Sequence, residues 1–152
     1  MHIVMVEPEI PANTGNIART CAVTGSVLHL VRPLGFSTGD RYLKRAGLDY
    51  WHLVEIHYHD SFWELPARYP DGRFYLATTR ATRRYTEVRY EPGAFLVFGK
   101  ETRGLAPEIL DRFPESRIRI PMVEPARSLN LANAVAVVLY EALRQQGFPG
   151  LK

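Results

Sequence analysis

The sequence predicts an α/β fold in which a mostly parallel β-sheet carries helices on both faces. Short apolar runs rich in β-formers recur along the chain, and most are followed by a helix-sized interval, the pattern of strand–helix–strand units. Such runs suit strands that are covered on both sides. No internal repeat or low-complexity linker interrupts them. With 152 residues, 46% hydrophobic and 23% charged, the chain can bury one core unaided. One domain spanning residues 1–152 is expected.

In order, strands are expected over residues 2–6, 27–31, 53–56, 74–78, 94–98 and 118–120. Helices are expected over 14–23, 40–46, 61–69, 106–113 and 129–146. The last helix is the most informative. Leu129, Leu131, Ala132, Ala134, Val135, Ala136, Val137, Val138 and Leu139 make it apolar nearly all the way round, and such a helix is buried on more than one side. It is either the central core helix of a monomer or the seam of a homodimer, and the small size of the chain favours the dimer.

Composition limits the function classes. No apolar stretch reaches the roughly 18 residues of a membrane span, and no basic start with an apolar region behind it marks an export signal. A soluble, cytoplasmic protein is expected. The single cysteine, Cys21, can form no internal disulfide and no cysteine-rich metal site. Lys and Arg total 19 against 16 Asp and Glu, a net charge of +3, and the isoelectric point near 9.2 is compatible with a polyanionic partner. Arg80, Arg83, Arg84 and Arg89 are interleaved with Tyr85 and Tyr90, while Arg41, Lys44 and Arg45 form a second group. Each group is either a solvated face or a surface that holds phosphates and stacks bases.

Three segments could carry chemistry. In the first, Asn13 to Arg19, Asn13 suits a helix N-cap and Gly15 allows close backbone approach. Helical geometry puts Ile17, Ala18 and Cys21 on the core-facing stripe and Asn16 with Arg19 on the other side. Those two are either solvated or turned toward a ligand. The second, Phe98 to Gly104, has glycines five apart, but Leu105 and Ala106 stand where a phosphate-cradling loop needs Lys and then Ser or Thr. No G-x-G-x-x-G motif occurs either, so a dinucleotide site is disfavoured. In the third, Ser128 suits the N-cap of the last helix. Asn130 and Asn133 share a helix face among apolar residues, so their amides need backbone, a second subunit or a ligand as partners.

Open α/β sheets bind ligands beyond the carboxyl ends of their strands. Ala77 and Thr78 close the fourth strand, Gly99 the fifth and Ile120 the sixth. If these strands are neighbours, a cofactor can lie across all three, and the small or apolar side chains suit an adenine slot better than a phosphate site. His57, His59 and Asp60 lack a further ligand at metal spacing, so no metal is expected. Glu7 and Glu9 flank Pro8 and read as surface carboxylates.

Taken together, NTGNIAR at 13–19, FGKETRG at 98–104 and IPMVEPARSLNLANAVAVVLYE at 120–141 resemble, in order and spacing, the three signature motifs of the SPOUT class of RNA methyltransferases. EPEIP at 7–11 and KRAGLDYW at 44–51 extend the likeness over essentially the whole chain. It is most similar to the minimal tRNA wobble-position 2′-O-methyltransferases, which act on cytidine or 5-carboxymethylaminomethyluridine. The resemblance implies a deep C-terminal trefoil knot, a rare exception to unknotted topology. It implies S-adenosylmethionine as methyl donor, held by Ala77, Gly99, Ile120 and Ser128 with Met122 beside them. It implies a homodimer that contacts the tRNA anticodon stem-loop with its catalytic body, Asn13 and Tyr140 among the substrate contacts. Ala12 and Ala106 depart from the family pattern and touch no expected contact.

By the same resemblance Arg19 is the catalytic residue. A guanidinium holds its proton too firmly to be a ready general base. Holding a phosphate or stabilising the developing alkoxide suits it better, with deprotonation left open. Two rival functions are a related 2′-O-methyltransferase acting on ribosomal RNA or another tRNA site, and a non-catalytic RNA-binding module of the same fold.

Overall fold

In a computed structural model, which describes residues 1–39, 41, 43, 45 and 50–152, six strands build one sheet. They are β1 (His2–Val6), β2 (Val27–Val31), β3 (Ile56–His59), β4 (Phe74–Ala77), β5 (Phe95–Phe98) and β6 (Arg117–Ile118). Their order across the sheet is β3-β2-β1-β5-β4-β6, and every pairing is parallel. All carboxyl ends therefore lie along one edge of the sheet, and β4 sits between β5 and β6. The α-helices that lie wholly among the described residues include α1 (Pro11–Thr24), α2 (Glu64–Arg68), α3 (Pro107–Arg112) and α4 (Leu131–Gln145).

Alternate residues of each strand feed two cores. Ile3, Met5, Leu28, Leu30, Leu96 and Phe98 pack with Ile17, Ala18 and Cys21 of α1 and with Val135, Val138 and Leu139 of α4. On the other face Val4, Val6, Phe74, Leu76, Phe95 and Val97 pack with Leu65 of α2 and with Ile109 and Leu110 of α3. Helices thus cover both faces, as the apolar runs predict. Cys21 is fully buried, and burial pushes its thiol up to about 12, so it is inert at neutral pH.

Several boundaries differ from expectation. The third strand is Ile56–His59 rather than 53–56. Leu53 and Val54 are held in a turn by bonds to the Tyr50 and Trp51 carbonyls, and the imidazoles of His57 and His59 take the strand positions instead. The sixth strand stops at Ile118, ahead of Pro121, which has no N–H to continue a ladder. The first helix starts at Pro11, with Ile10 at its N-cap and no side-chain cap of its own, so Asn13 is an interior residue and not the cap. The last helix is capped by Asn130, whose side chain accepts from the Asn133 N–H; Ser128 lies outside it. The second helix is shorter than 61–69, because Ser61 to Trp63 form the turn that leads into Glu64. Of the helix expected over 40–46, Arg41, Leu43 and Arg45 are helical; its other residues, including Lys44, lie outside the described residues.

α4 is less evenly buried than its composition suggests. Val135, Val138, Leu139, Ala142 and Leu143 are buried, whereas Asn133, Tyr140 and Arg144 are exposed.

Candidate functional site

Beyond the carboxyl ends of β5, β4 and β6 lies a cleft of about 620 Å³. Ala77 at the end of β4, Gly99 just past β5 and Ile120 just past β6 line it together with Met122 and Ser128. All five residues expected to hold a cofactor thus converge on one cavity. Asn13 lines it too, from the first turn of α1. The remaining two do not: Arg19 and Tyr140 are exposed residues outside the lining.

The floor of the cleft is a loop folded back on itself. The Lys100 carbonyl accepts from the Gly104 N–H at 2.9 Å, and Gly104 adopts φ 68°, a left-handed conformation that favours glycine. A Cβ at Gly99 would stand 2.1 Å from the Gly104 carbonyl carbon and 2.2 Å from the Leu105 nitrogen. Only glycine fits there.

Three carboxylates stitch this loop to the segment between β1 and α1. The Lys100 ammonium donates to Glu7 Oε2 at 2.6 Å, and Glu7 is held at φ 53°, a strained conformation for a side-chain-bearing residue. The Thr102 N–H and hydroxyl donate to Glu9 at 3.1 and 2.9 Å. In return Glu101 accepts from the Glu9 N–H at 2.8 Å, the Ile10 N–H at 3.0 Å and the Asn13 amide at 3.2 Å. Glu101 therefore caps α1 from another loop and places a negative charge at the positive end of the helix. The Asn13 side-chain Oδ1 accepts from the Asn130 side-chain amide at 3.1 Å, and Asn130 caps α4. One chain of hydrogen bonds, Glu101–Asn13–Asn130, thus joins all three motif segments at the cleft wall.

Glu101 was missed by sequence reasoning, and so were the partners of Glu7 and Glu9, which are not free surface carboxylates. A signal existed in α1, a helix that opens on Ile-Pro with no Ser, Thr, Asp or Asn at its cap and so needs an acceptor from elsewhere.

The first basic cluster breaks up in the fold. Arg83 donates to the Glu115 carbonyl at 3.2 Å, and Arg84 pairs with Glu87 at 3.9 Å. Tyr90 is buried, its hydroxyl donating to the Tyr85 carbonyl at 2.6 Å, so it stacks no base. Arg80 alone of that cluster lines the cleft, where Lys100, Arg103 and Arg127 add positive charge.

The histidines belong elsewhere. On the α2 face of the sheet His29 stands 2.9 Å from His2 and 2.9 Å from His59, nitrogen to nitrogen, and His59 reaches Glu64 at 3.3 Å. Burial first, then the charges of His2 and His59, hold His29 down at about 3. Burial also lowers His59, against the pull of Glu64. Among the described residues no group of three or more His, Cys, Asp or Glu is arranged to hold a metal ion, and no helix is long and apolar enough to cross a membrane.

The chain is similar to known proteins over nearly its whole length. The chain is 51% identical to the tRNA (cytidine(34)-2′-O)-methyltransferase of Escherichia coli strain K12, over 99% of this chain and 96% of that protein. It is similar to a solved structure described as giving insights into the 2-OH methylation of C/U34 on tRNA, with a TM-score of 0.91, 49% identity and coverage of 96% and 95% of the two chains. An AdoMet-bound rRNA methyltransferase from Sinorhizobium meliloti shares the fold with a TM-score of 0.82 and 26% identity, over 94% of this chain and 55% of that one. Residues 1–140 match the SpoU rRNA Methylase family, to which this chain belongs.

Proposed function

We propose that this chain transfers the methyl group of S-adenosylmethionine to the ribose 2′-hydroxyl of the wobble nucleotide of tRNA, cytidine or 5-carboxymethylaminomethyluridine at position 34, in the cytoplasm. The observation that carries this reading is the convergence of Ala77, Gly99, Ile120, Met122 and Ser128 on one cleft in a chain about half identical to an enzyme named for that reaction. The AdoMet-bound state of the Sinorhizobium relative supports the choice of donor.

The residues present fit the donor. Small and apolar side chains, Ala77, Leu105 and Ile120, offer a slot for a purine, and the tightly turned Gly99 loop presents backbone groups to its edge. When bound there, S-adenosylmethionine supplies an electrophilic methyl group on a sulfonium. The chain's own share is alignment, which accounts for much of the acceleration in a displacement. Asn13, fixed between Glu101 and Asn130, holds the rim where the nucleotide enters.

Arg19 holds a phosphate or stabilises the developing alkoxide. It stands six residues beyond Asn13 on α1, about 9 Å along the axis, so it meets RNA lying along the exposed side of that helix. Tyr140 stands roughly 15 Å along α4 from Asn130 and serves tRNA outside its own cleft. A homodimer accommodates both placements. The exposed Leu129, Tyr140 and Phe148 support it, at 40%, 44% and 39% exposure, along with Ile10 at the N-cap of α1 and Val23 within it.

Residues 1–152 act as one catalytic domain whose C-terminal part is threaded into a trefoil knot, a reading supported by the SpoU family match. Stretching the unfolded chain between its termini tests the knot, because a tightened knot leaves the contour length short of that of 152 free residues.

Labelled-methyl transfer to purified tRNAs and to ribosomal RNA, followed by mapping of the product, tests the activity. Label at the 2′-oxygen of nucleotide 34 is expected; label confined to ribosomal RNA would redirect the assignment. Arg19→Ala is expected to abolish turnover with donor affinity intact in calorimetry, and near-normal turnover in that variant would remove Arg19 from the mechanism.

A further inference from the structure

The Arg19 guanidinium lies with its central carbon 4.5 Å from the centroid of the Tyr50 ring, and one of its terminal nitrogens donates to the Tyr50 hydroxyl at 3.4 Å. No carboxylate pairs with Arg19 among the described residues. Tyr50 itself is firmly placed. Its carbonyl accepts from the Leu53 N–H at 2.9 Å, and its neighbours Trp51 and Val54 pack against the core beneath α1.

The chemistry of the two groups explains why a ring is useful here. A carboxylate partner would orient the guanidinium but cancel the charge that a phosphate or an alkoxide needs. An aromatic face restricts the side chain through its quadrupole and leaves the net charge in place. One of five N–H donors is spent on the hydroxyl, so four remain for substrate. A long exposed arginine otherwise samples many rotamers, and fixing it before RNA arrives removes an entropic cost from the reaction.

We propose that Tyr50 is a positioning residue for Arg19, holding its guanidinium over the phenol ring in the orientation that meets the reacting ribose. The proposal rests on the role given above to Arg19. It acts on kcat and leaves the donor cleft alone, because Tyr50 does not line that cleft.

The test replaces Tyr50 in the full-length protein by Phe, by Leu and by phenylalanines carrying increasing numbers of ring fluorines, which weaken the negative ring face at nearly constant shape. Calorimetry with S-adenosylmethionine serves as the check on folding. Tyr50→Phe is expected to stay within about threefold of the parent kcat, and Tyr50→Leu to lose roughly tenfold or more, in line with the steep cost of misplaced catalytic groups, with unchanged donor affinity. Across the fluorinated series kcat should fall stepwise with donor affinity unchanged. A flat fluorinated series overturns the proposal even if Tyr50→Leu proves misfolded. Full activity of Arg19→Ala would instead strike at the role of Arg19, so the two failures are distinguishable.

Discussion

The Asn130 side-chain amide donates to the Asn13 side-chain Oδ1 at 3.1 Å, across 117 residues of sequence. Neither residue bonds there by local geometry. Each is also tied to something else, Asn13 to Glu101 at 3.2 Å and Asn130 to the first turn of α4 at 3.2 Å, so the pair fixes the starts of α1 and α4 against each other beside the cleft.

Glu101→Gln should be costly out of proportion to its size. The carboxylate serves three donors, two of them backbone N–H groups, and an amide leaves one acceptor oxygen where two were used. A loss of about 0.5–1.5 kcal/mol is expected, as for a hydrogen bond between partly exposed groups that water can replace, together with weaker donor binding. Urea unfolding and calorimetry measure the two effects. Unchanged values in both would mean that the loop does not depend on this contact.

Gly99→Ala should be worse. The added methyl carbon would sit 2.1 Å from backbone, where no side-chain rotation relieves the clash, so the loop must open. Donor binding is expected to disappear, while far-UV circular dichroism stays close to that of the parent, since β5 ends before this residue. Retained affinity would show that the loop yields without disturbing the cleft.

Lys100→Met removes an ion pair that is about one-third exposed on each side, at 31% and 36%. Solvent screening keeps its contribution small, roughly 0.5–1 kcal/mol. The difference from the parent should shrink in molar salt, where screening is short-ranged; a salt-independent difference would point to packing rather than charge.

Acid should destabilise the protein through His29. Its proton affinity falls from 6.5 to about 3 in the fold, so above 6.5 the residue is neutral both folded and unfolded and contributes nothing. As pH drops below 6.5 the unfolded chain takes up a proton that the fold refuses, and stability is lost progressively toward pH 3. About 3 kcal/mol should go between pH 6.5 and pH 4 from this group. Replacing it in His29→Asn is expected to flatten that part of the profile, read from denaturant midpoints at each pH, and an unchanged slope would refute the assignment.

The fold was legible where burial alone decides. β1 and β2 fall on the residues the apolar runs mark, and β4 and β5 within one residue of them, because strands covered on both faces tolerate little else. β3 was displaced by three residues: Ile56–His59 pairs in register with Leu28–Val31, and His59 bonds His29 of the neighbouring strand, relationships that no local window contains. The same holds for the cap of α1, supplied by a residue 91 positions away. At the cleft, the strand-end rule located Ala77, Gly99 and Ile120, and the family resemblance added Met122 and Ser128. Glu101 escaped because its bonds reach two other segments, and the basic cluster over 80–90 stayed open between a solvated face and a phosphate-holding one because charge patterning carries no record of which arginines are already engaged.

The cleft is lined by residues from Ile10 to Ala134, which has a consequence during synthesis. A nascent chain can complete β1, α1 and most of the sheet on the ribosome and still offer the donor no place to lodge, because one wall arrives only with the final helix. On the donor site proposed above, methyl-donor binding would therefore report finished protein. Any ligand that selects the native form adds to its stability in proportion to the logarithm of its concentration, so cellular levels of the donor would help lock in the last stage of assembly.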